Sequence, residues 1–272
     1  MEQLPDCIQR PITRDGANLI YKTEAQQKGL RQESESKLMR TAYQDGYGNY
    51  VDRLVEKWSI QAVFSEWKKQ KNNLVFADIG GGHGNFFNNV SAISELYLNI
   101  EPSRTHEALD RKTSENEDKY FKLLASAENI PIRDSEVDMA LCLATLDHIP
   151  NPKQAILEIK RILKPGGLLV FTLNNKDSWW KKMLQGSKLL AKREEEILKE
   201  HHFLWGPADV EREIGSEIHL EYLTTICHCP QLPMKTWKLM AKILDPMGSL
   251  IAQRLGSNIV ATFRKLDTKN NS

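Results

Sequence analysis

The stretch Phe76-Ala-Asp-Ile-Gly-Gly-Gly-His-Gly-Asn-Phe-Phe87 places four glycines within five residues directly after a short apolar run. A β-strand running into a bare, tight turn is the simplest reading. Glycine tolerates positive φ and lets a backbone come close to a ligand. In α/β sheets ligands bind at the carboxyl end of the strands, where such a turn falls. The dinucleotide spacing G-x-G-x-x-G fails, because counted from Gly80 its third glycine falls on Asn85. What stands instead is Asp78-x-Gly80-x-Gly82-x-Gly84.

Outward from this turn, short apolar runs recur at Leu96–Ile100, Val137–Ala144 and Leu168–Asn174, with helical or mixed segments between them. That alternation predicts a parallel sheet covered by helices on both faces. Pro152 opens a helix whose Ala155, Ile156, Ile159 and Ile162 share one face, and Lys164-Pro165-Gly166-Gly167 stops it. Before the first strand, Val51, Leu54, Val55, Trp58 and Ala62 recur at helical spacing and predict one or two helices. The first forty residues are polar and read as an irregular lead-in that adds little to the core. Late in the chain, a charged amphipathic helical region over 179–202 and a short helix over 208–214 are expected. A strand over 219–226, a helical stretch over 237–255 interrupted at Asp245-Pro246, and a strand over 258–266 follow. The two late strands suit an antiparallel edge.

The 272 residues, 40% apolar, can bury a sizeable core. Thirty-seven basic against thirty-six acidic side chains give no global field towards nucleic acid or an anionic surface. No apolar run reaches the roughly 18 residues of a membrane span, and a cytoplasmic protein with reduced thiols is expected. Cys227-His228-Cys229 has no second pair, a poor pattern for zinc, so no metal is expected.

A carboxylate just before the glycines disfavours a pyrophosphate and suits a ligand carrying an ammonium and a sulfonium. The Asp78-x-Gly80-x-Gly82-x-Gly84 pattern resembles the first motif of class I S-adenosylmethionine-dependent methyltransferases. Glu101, after the second strand, stands where that family has an acidic residue gripping both ribose hydroxyls. The segments 123–152 and 163–175 are similar to the adenine loop, fourth strand and fifth-strand motif of the subgroup resembling ubiquinone and menaquinone methyltransferases. The resemblance implies a Rossmann-like, seven-stranded, mostly parallel sheet with an antiparallel last strand and a helical cap. Residues 1–70 would be a lead-in with helices serving as a cofactor lid. Residues 71–272 would be the methyltransferase domain, with cap insertions around 176–208 and 230–256.

The resemblance further implies that Asp78, Gly80, Gly82, Gly84 and Glu101 bind S-adenosylmethionine. Family members often carry an aspartate where this chain has Ser126; here Ser126 or Glu128 would take the adenine amino group, with the Ala127 amide facing the ring. Asp147 and His148 follow the fourth strand beside the expected methyl group, and His148 is the leading acid–base candidate. His83, His201, His202 and the tryptophans 179, 180, 205 and 237 are weaker candidates, and Tyr43, Tyr47 and Tyr50 lie where relatives fold a segment over the cofactor. The fourth strand lacks the Asn/Asp-Pro-Pro-aromatic motif of base and glutamine methylation. A small-molecule acceptor is therefore expected, oxygen or carbon ahead of nitrogen. The rival readings are an RNA or protein methyltransferase and a non-catalytic, cofactor-binding partner subunit.

Overall fold

The computed structural model describes residues 5–8, 12–15, 18–21, 47–102, 117–183, 202–215, 217–229 and 237–267. Among the described residues nine strands form one sheet: β1 (Ile12–Asp15), β2 (Asn18–Tyr21), β3 (Leu74–Ile79), β4 (Ser94–Ile100), β5 (Tyr120–Leu124), β6 (Val137–Leu143), β7 (Leu163–Asn174), β8 (Ile218–Ile226) and β9 (Asn258–Lys265). Their order is β1-β2-β5-β4-β3-β6-β7-β9-β8. From β5 to β8 this is the expected seven-stranded sheet. The pairs β5–β4, β4–β3, β3–β6 and β6–β7 are parallel, and β9 runs antiparallel to both β7 and β8.

Alternation along each strand divides the core. Phe76, Tyr97, Leu141 and Val170 face a layer that includes Val63 of α1 (Tyr47–Gln70). Ala77, Ile79, Ala140 and Phe171 face α3 (Pro152–Ile162) and α5 (Pro207–Ile214), the short α2 (Phe87–Val90) having come between β3 and β4. α3 forms where the sequence places it. Its apolar residues Ala155, Ile156, Ile159 and Ile162 are buried, Pro152 occupies the first turn, and the Asn151 side chain accepts from the Gln154 amide. Such a cap is worth about 1 kcal/mol. α4 (Trp179–Met183) and α6 (Trp237–Ile251) complete the described helices.

The segment over 50–67, read as one or two helices, lies within a single helix of 24 residues. Four details differ from the sequence reading. β5 is a central strand that Lys122 disguises by interrupting its apolar run, although Lys122 is itself buried. The lead-in contributes to the core: Cys7 and Ile8 are buried in the main cluster, Ile8 bridges to Ile132, and β2 pairs in parallel with β5. β7 begins at Leu163, with a register shift against β6 absorbing Lys164-Pro165-Gly166-Gly167. α6 runs unbroken through Pro246, which a helix can accommodate at the cost of one backbone hydrogen bond.

α1 is tied to the sheet by a charge pair. Arg264 on β9 bonds Glu66 through two parallel contacts of 3.0 and 2.8 Å, donates to the Gly166 carbonyl at 2.8 Å, and also pairs with Glu221. Burial alone would raise the Glu66 carboxyl, but hydrogen bonds from Arg264, Gln70 and Lys69 outweigh it and lower it to about 2.

Candidate active site

The glycine turn links β3 to α2 at the carboxyl edge of the sheet, between β4 and β6. Three of its glycines have positive φ: Gly80 (68°), Gly82 (52°) and Gly84 (75°). Their surroundings differ. A Cβ on Gly80 would lie 2.1 Å from Thr145 Cγ2, and one on Gly84 would lie 2.3 Å from the Tyr120 hydroxyl. A Cβ on Gly82 would meet nothing within 4 Å. The turn is thus pinned at both ends and open in its middle, a cradle in which backbone can touch a ligand.

Asp78 lies beneath this turn. Its carboxylate is buried, accepts from the Tyr97 hydroxyl at 2.5 Å, and abuts Gly81, where a Cβ would lie 2.2 Å from Asp78 Oδ2. Burial, with the nearby Glu101 charge adding to it against the Tyr97 hydrogen bond, pushes the Asp78 carboxyl up to about 6. Glu101, at the end of β4, is buried and accepts from the Gly82 amide at 3.1 Å. Two carboxylates therefore flank the open glycine from below and from the side.

Asn99 and two tyrosines complete the support. Asn99 donates to the Gly82 carbonyl (3.1 Å) and the Tyr120 hydroxyl (2.7 Å), and the Tyr97 and Tyr120 rings stack at 5.8 Å. Asn99 Oδ1 has no hydrogen-bond partner among the described residues. Sequence reasoning missed Tyr97, Asn99, Tyr120 and Thr145. A polar Asn99 in an otherwise apolar strand was the signal for the first three. Nothing marked Thr145.

Ser126, Ala127 and Glu128 follow β5 on the same edge. Ser126 Oγ donates to Glu128 Oε2 at 2.5 Å, while Glu128 Oε1 accepts from the Asn151 amide at 2.9 Å. Ala127 is buried. Past β6, Thr145 leads directly into the turn Leu146–His148. The Asp147 side chain is 1% exposed and accepts from Asn174 at 3.0 Å, whereas His148 is 45% exposed, its Nε2 3.9 Å from Asp147 Oδ1. The structure therefore brings the glycine turn, Glu101, residues 126–128 and the 147–148 pair to one edge of the sheet.

Other candidates take different places. His83 is half-buried in the turn. Trp179 and Trp180 donate through their indoles to the His228 carbonyl and Ser257, and Trp205 packs on Phe203. Tyr50 bonds Asp245 on α6. Cys227, His228 and Cys229 are all buried, burial raising both thiols and lowering the imidazole. Among the described residues no group of three ligating side chains could hold a metal. Tyr43 and His201 and most of 176–208 and 230–236 lie outside the described residues, as do the side chains of Tyr47 and Trp237.

Residues 77–171, from within β3 to within β7, match the family model described as "Methyltransferase domain". Over that segment the chain is similar to methyltransferase domains. An uncharacterized protein of Methanocaldococcus jannaschii is 32% identical over 130 residues, covering 48% of this chain and 53% of that protein. A ubiquinone biosynthesis O-methyltransferase of Rickettsia conorii is 28% identical over 131 residues, covering 46% of this chain and 43% of that one. The chain thus spans about half the length of these curated relatives. Among solved structures, one from the complex between the Haloferax volcanii Trm112 methyltransferase activator and a methyltransferase matches the fold. Its TM-score is 0.54 at 15% identity, over 78% of this chain and 98% of that one. The matched segment spans the glycine turn, Glu101, residues 126–128 and His148.

Proposed function

We propose that this chain transfers the methyl group of S-adenosylmethionine to a small-molecule acceptor, with oxygen or carbon favoured over nitrogen. The observation that carries the reading is the open Gly82 turn flanked by the buried Asp78 and Glu101 carboxylates at the carboxyl edge of the sheet. These residues suit a cationic nucleoside: the turn offers backbone at close approach, Glu101 can accept from two neighbouring hydroxyls, and Asp78 contributes negative charge from beneath. Residues 126–128, at the end of the adjacent strand, would meet the base. When bound, S-adenosylmethionine supplies an electrophilic methyl group.

The protein then has to align an acceptor and keep water out, and alignment alone can lower a barrier by several kcal/mol. For a hydroxyl or acidic carbon acceptor, His148 takes the proton at its imidazole, and Asp147 beside it stabilises the imidazolium. The relative named for O-methylation in ubiquinone biosynthesis supports oxygen. No described helix is long and apolar enough to cross a membrane, and a cytoplasmic location is part of the proposal.

Calorimetric titration with S-adenosylmethionine, S-adenosylhomocysteine and NADH tests the cofactor. Binding of the first two alone is expected. Binding of NADH alone would overturn the reading.

A further inference from the structure

Thr145 stands between the two halves of the site. Its Cγ2 leaves Gly80 no room, since a Cβ there would lie 2.1 Å away. Its Oγ1 donates to the Leu143 carbonyl at 3.0 Å and lies 3.4 Å from the Gly80 carbonyl. Its own carbonyl accepts from the His148 amide at 3.0 Å. One residue thus meets the first glycine of the cofactor turn with its side chain and closes the turn that carries His148 with its backbone.

The chain is bent to make that contact. Ala144, just before it, has a φ of 50°, a left-handed conformation that a residue with a Cβ keeps only where its surroundings hold it. The hold comes from β7: the Ala144 amide donates to both the carbonyl (3.1 Å) and the hydroxyl (2.9 Å) of buried Thr172. Gly80 is fixed from its other side, where its amide donates at 2.7 Å to the carbonyl of Ile100, the residue before Glu101. Gly80 is therefore clamped between β4 and Thr145. Close-packed contacts pass a displacement on rather than absorb it. A ligand seated on the open Gly82, two residues further on, presses on a turn that Thr145 backs.

We propose that Thr145 is a positioning residue that ties the cofactor turn to the turn bearing His148, so that filling the Gly82 cradle sets the imidazole for proton transfer. The inference rests on the methyltransferase reading. The methyl group carries the link, because it is the part of the side chain that fills the space at Gly80, whereas the shorter bond of the hydroxyl is to Leu143 in the preceding strand.

NMR of histidine-labelled chain, with and without S-adenosylhomocysteine, tests this without an acceptor, the His148 ring signal being assigned by its loss in His148→Gln. In the wild type S-adenosylhomocysteine should shift that signal. Thr145→Val, which keeps the methyl and loses the hydroxyl, should retain the shift. Thr145→Ser, which keeps the hydroxyl and loses the methyl, should retain less than a third of it while binding S-adenosylhomocysteine within about threefold of wild type by calorimetry. A full shift in Thr145→Ser would overturn the proposal, as would loss of S-adenosylhomocysteine binding in that variant, which would make Thr145 part of the cofactor site itself. A wild-type chain that binds S-adenosylhomocysteine with His148 unmoved would overturn the link and leave the cofactor site standing. A wild-type chain that binds none would overturn the methyltransferase reading and the link with it.

Discussion

The Tyr97 hydroxyl donates to Asp78 Oδ2 at 2.5 Å beneath the glycine turn. This bond supports an ionised carboxylate that burial opposes, and the balance leaves Asp78 titrating near 6. Because the folded value is raised, the folded state holds the proton after the unfolded chain has lost it. Stability therefore falls as pH rises from about 4 to about 6, by roughly 3 kcal/mol. A cationic ligand, in contrast, gains affinity as Asp78 ionises. S-Adenosylmethionine affinity should rise between pH 5 and 7 in the wild type and flatten in Asp78→Asn, measured by calorimetry at each pH. A parallel rise in the variant would remove Asp78 from that role.

Gly82 and Gly84 should respond differently to the same substitution. Gly84→Ala drives a methyl into the Tyr120 ring at a positive φ, and a loss of about 2 kcal/mol or more in chemical denaturation is expected. Gly82→Ala meets no neighbour, so only about 1 kcal/mol of backbone strain is expected. Its methyl would instead occupy the cradle and weaken cofactor binding at least tenfold. Full binding by Gly82→Ala would move the ligand elsewhere.

Glu101→Gln keeps the shape of the side chain and removes its charge. Cofactor affinity should drop about tenfold, equivalent to about 1.4 kcal/mol, with a melting temperature close to wild type. Unchanged affinity would exclude a ribose contact.

His148→Ala should lower turnover about 100-fold with cofactor affinity unchanged. Asp147→Asn should lower it less and shift the pH profile of kcat, since the carboxylate acts through the imidazole 3.9 Å away. These rates are read with an acceptor found by screening phenols and enols. Turnover indifferent to both substitutions would leave proximity as the whole mechanism.

Arg264→Met leaves Glu66 buried without its double contact, and removing one partner of such a pair costs about 3 kcal/mol. The lowered Glu66 carboxyl predicts that the wild-type pair stabilises the fold fully above about pH 4.5 and loses that contribution as pH falls towards 2. Acid titration of stability in wild type and Arg264→Met should therefore converge.

The sequence by itself determined the parallel sheet, the α3 boundaries and the glycine turn. Each of these is set by local pattern: alternating burial, a proline and asparagine at a helix start, and positive φ at glycine. It also placed Asp78 and Glu101 at strand ends. Tertiary structure alone decided what those residues touch. Tyr97, Asn99 and Tyr120 come from neighbouring strands to support the turn, and Thr145 crosses from β6 to close on Gly80, because parallel pairing aligns carboxyl ends that are distant in the chain. The same holds for β5, where Lys122 broke the apolar run, and for α6, where Pro246 read as a break. In each case packing outweighed a local preference.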